Sequence, residues 1–190
     1  MTISKKIRGR LIRALLVTAA AGFAGVAGWY SPLITATIWH VFHPRGWVEY
    51  RGLHIRVPWP WIADTDLIGA DPTVTPQGIA LKKMPNEIVH RLPTQSLFVT
   101  VISPDPGLSA GQQTERWMDL FRASHPGAAF NPTPPMAIPR GASCLSARGY
   151  SQEGGIIWTC IFVEGGWVAN FEGQDGDVPV FFQIVLELKR

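Results

Sequence analysis

Residues 142–173 read ASCLSARGYSQEGGIIWTCIFVEGGWVANFEG. Three apolar runs, at about 142–150, 155–164 and 166–172, are separated by Glu153-Gly154-Gly155 and Gly165-Gly166. Runs of that length rich in Ile, Val, Thr, Phe and Trp, broken by glycine-bearing turns, predict three consecutive antiparallel strands. Cys144 and Cys160 are the only cysteines and fall in the first two strands, symmetric about residue 152. A short turn there sets them nearly opposite, within the ~4.4–6.8 Å Cα separation a disulfide needs. A turn centred one or two residues later would part them, and two small buried hydrophobes that never bond is the alternative.

Downstream, DVPVFFQIVLELKR (177–190) carries two periods at once. Val180, Phe182, Ile184, Leu186 and Leu188 alternate as in a strand. Phe181, Ile184, Val185 and Leu188 make a helix face, with Asp177 as N-cap and Pro179 in the first turn, and that entry chemistry favours helix.

Upstream, Ser109 and Gln112 have capping-box spacing. Trp117, Leu120 and Phe121 follow at i, i+3 and i+4 and predict the buried face of a helix, which His125-Pro126-Gly127 ends. Residues 128–141, rich in Pro, Ala and Gly, read as a surface connection. SLFVTVIS (96–103) predicts a central strand and 78–84 another, whereas 63–76 reads as loop. Trp47 to Tyr50 and Leu53 to Val57 flank Arg51-Gly52, where glycine supplies the positive φ of a tight hairpin, and Pro58 and Pro60 stop the second run. Trp47 and Trp61 are expected in the core of this first sheet. Trp59, between two prolines, suits either the core or a lipid-facing surface.

The N-terminal third is of another kind. Ala14 to Phe42 contains no Asp, Glu, Lys or Arg, more than the ~20 residues a helix needs to cross a bilayer. Lys5, Lys6, Arg8, Arg10 and Arg13 precede it, and no acidic residue appears before Glu49. The chain divides into a basic tail (1–13), an anchor with an interfacial segment (14–42) and one domain (46–190). The crossing itself is expected at about Leu11 to Leu33, with Trp29, Tyr30 and Trp39 at the membrane interface. The charge asymmetry puts the N-terminus in the cytoplasm and the domain outside, a single-pass arrangement in the cell membrane. A cleaved signal peptide, cut after Val26 and Gly28, is the alternative; it would leave the apolar start WYSPLITATIWHVF. In either case the domain is exported, where an even cysteine pair tends to be bonded. From Ala14 onward there are 12 Lys and Arg against 14 Asp and Glu, so the basicity belongs to the tail and nucleic acid is not expected as a partner.

The series is thus a hairpin closing on Pro-Trp, further strands, a long helix, an antiparallel meander and a terminal helix. In LHIRVPWPW, SLFVTVIS, the helix around Glu115 to Arg122 and IFVEGGWVANFEG…FFQIVLELK, it resembles the PsbP/DcrB-like α/β/α sandwiches. The resemblance covers residues 46–190 and implies an α+β fold, an antiparallel sheet covered by helices. It also implies an exported, membrane-tethered accessory to a larger assembly. No cysteine follows the apolar stretch, which departs from a lipoprotein pattern, and no functional residue carries over.

Motifs for chemistry are sparse. His40-x-x-His43 puts two imidazoles on one helix face, but no further ligand lies near and Pro44 follows, so a metal is not expected. Asp64, Asp66 and Asp71, and Glu172, Asp175 and Asp177, match no calcium-loop spacing. His90 and His125 sit beside Arg91 and Pro126 and match no catalytic spacing, and nucleophile elbows, Ser-x-x-Lys and phosphate-binding glycine loops are absent. Neither catalytic residues nor a cofactor is expected. Two functions remain: an accessory module acting through another membrane or extracytoplasmic protein, or an exported enzyme or small-ligand or metal binder built from scattered residues. A deep pocket lined by His90, His125 or converging carboxylates would favour the second.

Overall fold

A computed structural model describes residues 5–64, 78–83, 96–149 and 155–190, with the side chains of the first helix described at 16–26 and 33–42. His90, Asp66, Asp71 and the turn at 151–154 lie outside these residues, as do the side chains of Trp29, Tyr30 and Asp64. The elements are α1 (Lys5–Phe42), β1 (Trp47–Tyr50), β2 (Leu53–Arg56), β3 (Trp61–Asp64), β4 (Gly78–Lys83), β5 (Ser96–Val101), α2 (Ala110–Ser124), β6 (Ala129–Asn131), β7 (Ser143–Arg148), β8 (Ile156–Phe162), β9 (Trp167–Gly173) and α3 (Val178–Glu187).

The expected meander is the middle of the sheet. Seven strands run in the order β3-β4-β5-β9-β8-β7-β6, every neighbouring pair antiparallel. The fold is α+β. Side chains alternate across a strand, so Ile156, Trp158 and Cys160 of β8 face one side and Ile157, Thr159 and Ile161 the other. On the first side they join Trp167, Ala169 and Phe171 of β9, and α3 covers them with Phe181, Phe182, Ile184 and Val185. The hairpin β1–β2 completes that layer through Leu53 and Ile55. On the second side Leu145, Ala147, Ile161 and Val168 meet Met118 and Phe121 of α2.

Several local expectations are met by named bonds. Ser109 and Gln112 form the reciprocal capping box of α2. Arg51 (φ 51°) and Gly52 (φ 75°) both take the left-handed conformation that a two-residue hairpin turn requires. The terminal segment is a helix: the face Phe181, Ile184, Val185 and Leu188 is buried, because a second layer, not a sheet edge, receives it.

Others are corrected. Leu120 is 58% exposed and Met118 takes its place beside Phe121, because α2 lies over β7 and β8 and turns its 120 side outward. Trp47 is 41% exposed: the hairpin turns Val48 and Tyr50 of β1 partly against the core, so the alternate residues face out. The stretch read as loop from Ala63 begins inside β3, and the connection 128–141 contains β6. Both are short edge strands whose pairing partner, not their own composition, makes them strands.

Asp177 stands at the N-cap of α3 but its carboxylate does not cap. It accepts instead from Lys83 Nζ at 2.8 Å, tying β4 to the start of the helix. Asp177 is buried and Lys83 about one-third exposed, so the pair is only partly screened. Asp177→Ala should lower stability by about 1–3 kcal/mol, toward the lower end because Lys83 can turn to water. A urea midpoint equal to that of the parent chain would dismiss the latch.

Helix α1 continues without interruption from Lys5 to Phe42, and apolar residues lie all round it with no preferred face. Among the described residues, no helix is long and apolar enough to cross a membrane. The expected anchor is therefore a helix here without being shown as a span. Its end is stitched to the domain. Ala36 is fully buried, His40 Nε2 lies 3.0 Å from the Trp61 carbonyl, and Val57 N–H donates to the Gly46 carbonyl at 2.9 Å. Gly46 sits at φ 73°, and a Cβ there would run into the Val57 carbonyl oxygen, so glycine is required at this joint.

Candidate binding cleft

The second face of the sheet carries a cleft of about 480 Å³ where α2 stops covering the strands. Its floor is set by register. Phe98 of β5 stands opposite Asn170 of β9, and Asn170 opposite Thr159 of β8, so the three lie in one row across the sheet. The buried Thr159 hydroxyl accepts the Trp117 indole N–H at 2.8 Å, which joins that row to the helix. Ile157 opposite Glu172 forms the next row. From α2, Trp117, Leu120, Phe121 and Ser124 recur at i, i+3, i+4 and i+7 and make the opposite wall. Phe98 is 40% exposed, so two large apolar side chains, Phe98 and Leu120, border the opening.

Polar groups stand at the cleft's margins: His125 and Ser124 at the helix end, Asn170 and Glu172 on β9. Ser124 Oγ lies 2.9 Å from His125 Nδ1, the separation of a nucleophile and its base. Both groups, however, converge on one acceptor. The Phe121 carbonyl lies 2.9 Å from Ser124 Oγ, which donates to it, and 2.8 Å from His125 Nδ1. This carbonyl is among the last four of α2, which have no partner inside the helix, so the two side chains terminate the helix. The His125 ring also packs on Phe121, centroids 4.4 Å apart, and fixes that wall.

The other candidate residues disperse. His40 and His43 reach different carbonyls, of Trp61 at 3.0 Å and Trp39 at 2.9 Å, and do not converge on a common point. Trp39 stacks on His43 at 4.1 Å and packs against the domain core. The carboxylates of 172–177 diverge: Asp175 takes a two-pronged contact from Arg148 at 2.6 and 3.0 Å, while Asp177 holds Lys83. Among the described residues no three His, Cys, Asp or Glu come together as metal ligands. Cys144 and Cys160 stand opposite each other in the β7–β8 ladder, Cα atoms 4.1 Å apart and sulfurs at bonding distance.

The cleft is the feature that sequence reading missed, since its walls come from three strands and a helix separated by up to 74 positions. One signal was present. In SLFVTVIS the alternate position Phe98 is a large apolar residue on the face opposite Leu97 and Val99, where a one-sided strand would carry a polar one.

Compared with family models, curated proteins and solved structures, the chain matches none.

Proposed function

We propose that the chain is a single-pass membrane protein whose domain, outside the cytoplasm, is an accessory module that captures an apolar group of a partner protein in the α2 cleft. The observation that carries this reading is the cleft itself: aromatic and aliphatic walls held by the packed core, with a polar margin to orient what enters. Tethering by α1 raises the local concentration of the cleft at the membrane, so a modest contact suffices. The layered order, with a helix on each face of an antiparallel sheet, also supports the likeness to PsbP/DcrB-like domains, which we retain as part of the proposal.

A second reading is favoured by His125 and Glu172 bordering the same cleft: a small-ligand binder or an exported enzyme. Against catalysis, Ser124 and His125 are spent on the end of α2. In the accessory reading an apolar naphthalene sulfonate dye enters the cleft of the full chain in detergent and takes energy from Trp117. Leu120→Asp, at an exposed position, should abolish that transfer without moving the melting temperature. Transfer unchanged in Leu120→Asp would overturn the cleft as the binding site.

The membrane reading rests on the charge asymmetry about residues 14–42 and on the bare apolar surface of α1, where Leu16, Val17, Phe23 and Val26 are all exposed. An apolar surface of that kind is costly in water and favourable in lipid. A reporter fused after Arg190 should be active only outside the cytoplasm; cytoplasmic activity would refute the topology. A mature N-terminus near Trp29 would replace the anchor with a signal peptide.

A further inference from the structure

From the joint between α1 and the domain, we infer that the domain seats directly on the bilayer surface, with Phe42, Trp47 and Trp59 in the headgroup layer. This rests on the reading of α1 as a membrane anchor. At 1.5 Å per residue the uncharged run Ala14–Phe42 is about 43 Å long, and a bilayer with its headgroups is about 40–45 Å thick. With Arg13 at the inner edge, Phe42 arrives at the outer edge; this shifts the crossing outward from residues 11–33, moves Trp29 and Tyr30 from the interface into the bilayer, and leaves the helix no length to serve as a stalk.

The end of the helix leaves an apolar strip bare. In its last turns Ala36, Trp39 and His40 face the domain, whereas Ile34, Ile38, Val41 and Phe42 remain exposed, Phe42 at 76%. A stalk in water would carry polar residues there. This apolar strip ends at the joint.

The joint is surrounded by groups suited to a headgroup layer. Gly46 packs on Val57, which brings the residue after the first, Trp47, and the turn after the second, Trp59, to the same place. Both indoles are exposed, Trp59 at 57%, and indoles partition into the headgroup region because one end is apolar and the other donates a hydrogen bond. Arg45 is exposed at a left-handed position beside this patch. Its guanidinium matches anionic headgroup phosphates in sign and geometry, and Glu49 is the one acidic residue of the hairpin. Lipid, not a second protein, is the occupant that fits an apolar strip, two interfacial indoles and an arginine arranged around a helix end.

The test uses the full chain reconstituted in vesicles of phosphatidylcholine and phosphatidylglycerol, some carrying a nitroxide on the headgroup. A fluorophore is attached at Trp59→Cys in one sample and at Ala123→Cys in another, the latter exposed on α2 across the sheet. The native cysteines are paired and buried, so the label is directed. The seat predicts severalfold stronger nitroxide quenching at 59 than at 123, and a reduction of that difference in an Arg45→Glu background. Equal, weak quenching at both sites while the chain floats with the vesicles would overturn the seat and leave the anchor standing. Failure to float would overturn the anchor reading and the seat with it. Energy transfer between labels at 59 on two copies, without nitroxide quenching, would assign the patch to self-association and also overturn the seat.

Discussion

Phe121→Ala should destabilise the domain by about 3–5 kcal/mol, whereas Leu120→Ala and Arg116→Ala should stay within about half a kcal/mol. Phe121 is 7% exposed and sits in a cluster with Met118, Leu145, Ala147, Ile161 and Val168, its ring bordered by His125 and Phe130 at centroid distances of 4.4 and 6.3 Å. Removing it leaves a void that β7 and β8 cannot fill, because their ladder holds the Cα positions fixed. One edge of the ring also borders the cleft, so part of the void opens to solvent and the loss falls toward the lower value. Leu120 has little to lose: its side chain already faces water and the cleft mouth. Urea midpoints for the three variants decide the matter. Similar midpoints for Phe121→Ala and Leu120→Ala would reverse the assigned face of α2.

That pair of leucine and phenylalanine shows where the sequence stopped speaking. The i, i+3, i+4 pattern of Trp117, Leu120 and Phe121 is as good a stripe as Met118 and Phe121, and the two differ by a rotation of under half a turn about the helix axis. Which one is buried depends on how far the helix lies across the sheet, and nothing local to α2 encodes that. The meander was legible because each of its turns carries glycine and each strand is long and apolar. Edge strands β3 and β6 were not, since a three- or four-residue strand is defined by the neighbour it pairs with. The end of the chain was decided by Pro179, which fixes a helical φ and lacks the N–H a strand would need. Asp177 was assigned the correct place and the wrong partner: a capping role and an ion pair demand the same residue type, and only the fold brings Lys83, 94 positions away, within reach.

For the two cysteines, symmetry about residue 152 sufficed because hairpin register is set locally. In the ladder Ser143 pairs with Ile161 and Arg148 with Ile156, so the register centres on 152 and Cys144 meets Cys160. Denatured but unreduced protein should therefore yield no reactive thiol per chain; two would rule the bond out. The bond spans a sequence separation of 16, for which loop entropy gives about 3 kcal/mol. The Cys144→Ala, Cys160→Ala double variant should lose less than that. In the folded state six residue pairs already join β7 to β8, and whatever part of this hairpin persists in the unfolded ensemble has its loop closed before the bond acts. Neither alanine creates a large void, as each removes one sulfur from a site facing α3. Comparing the urea midpoint of the oxidised parent with those of the reduced parent and the double variant separates the two contributions. A reduced parent matching the double variant, with both below the oxidised chain, assigns the loss to the cross-link; a reduced parent as stable as the oxidised one would show that the ladder alone closes the loop.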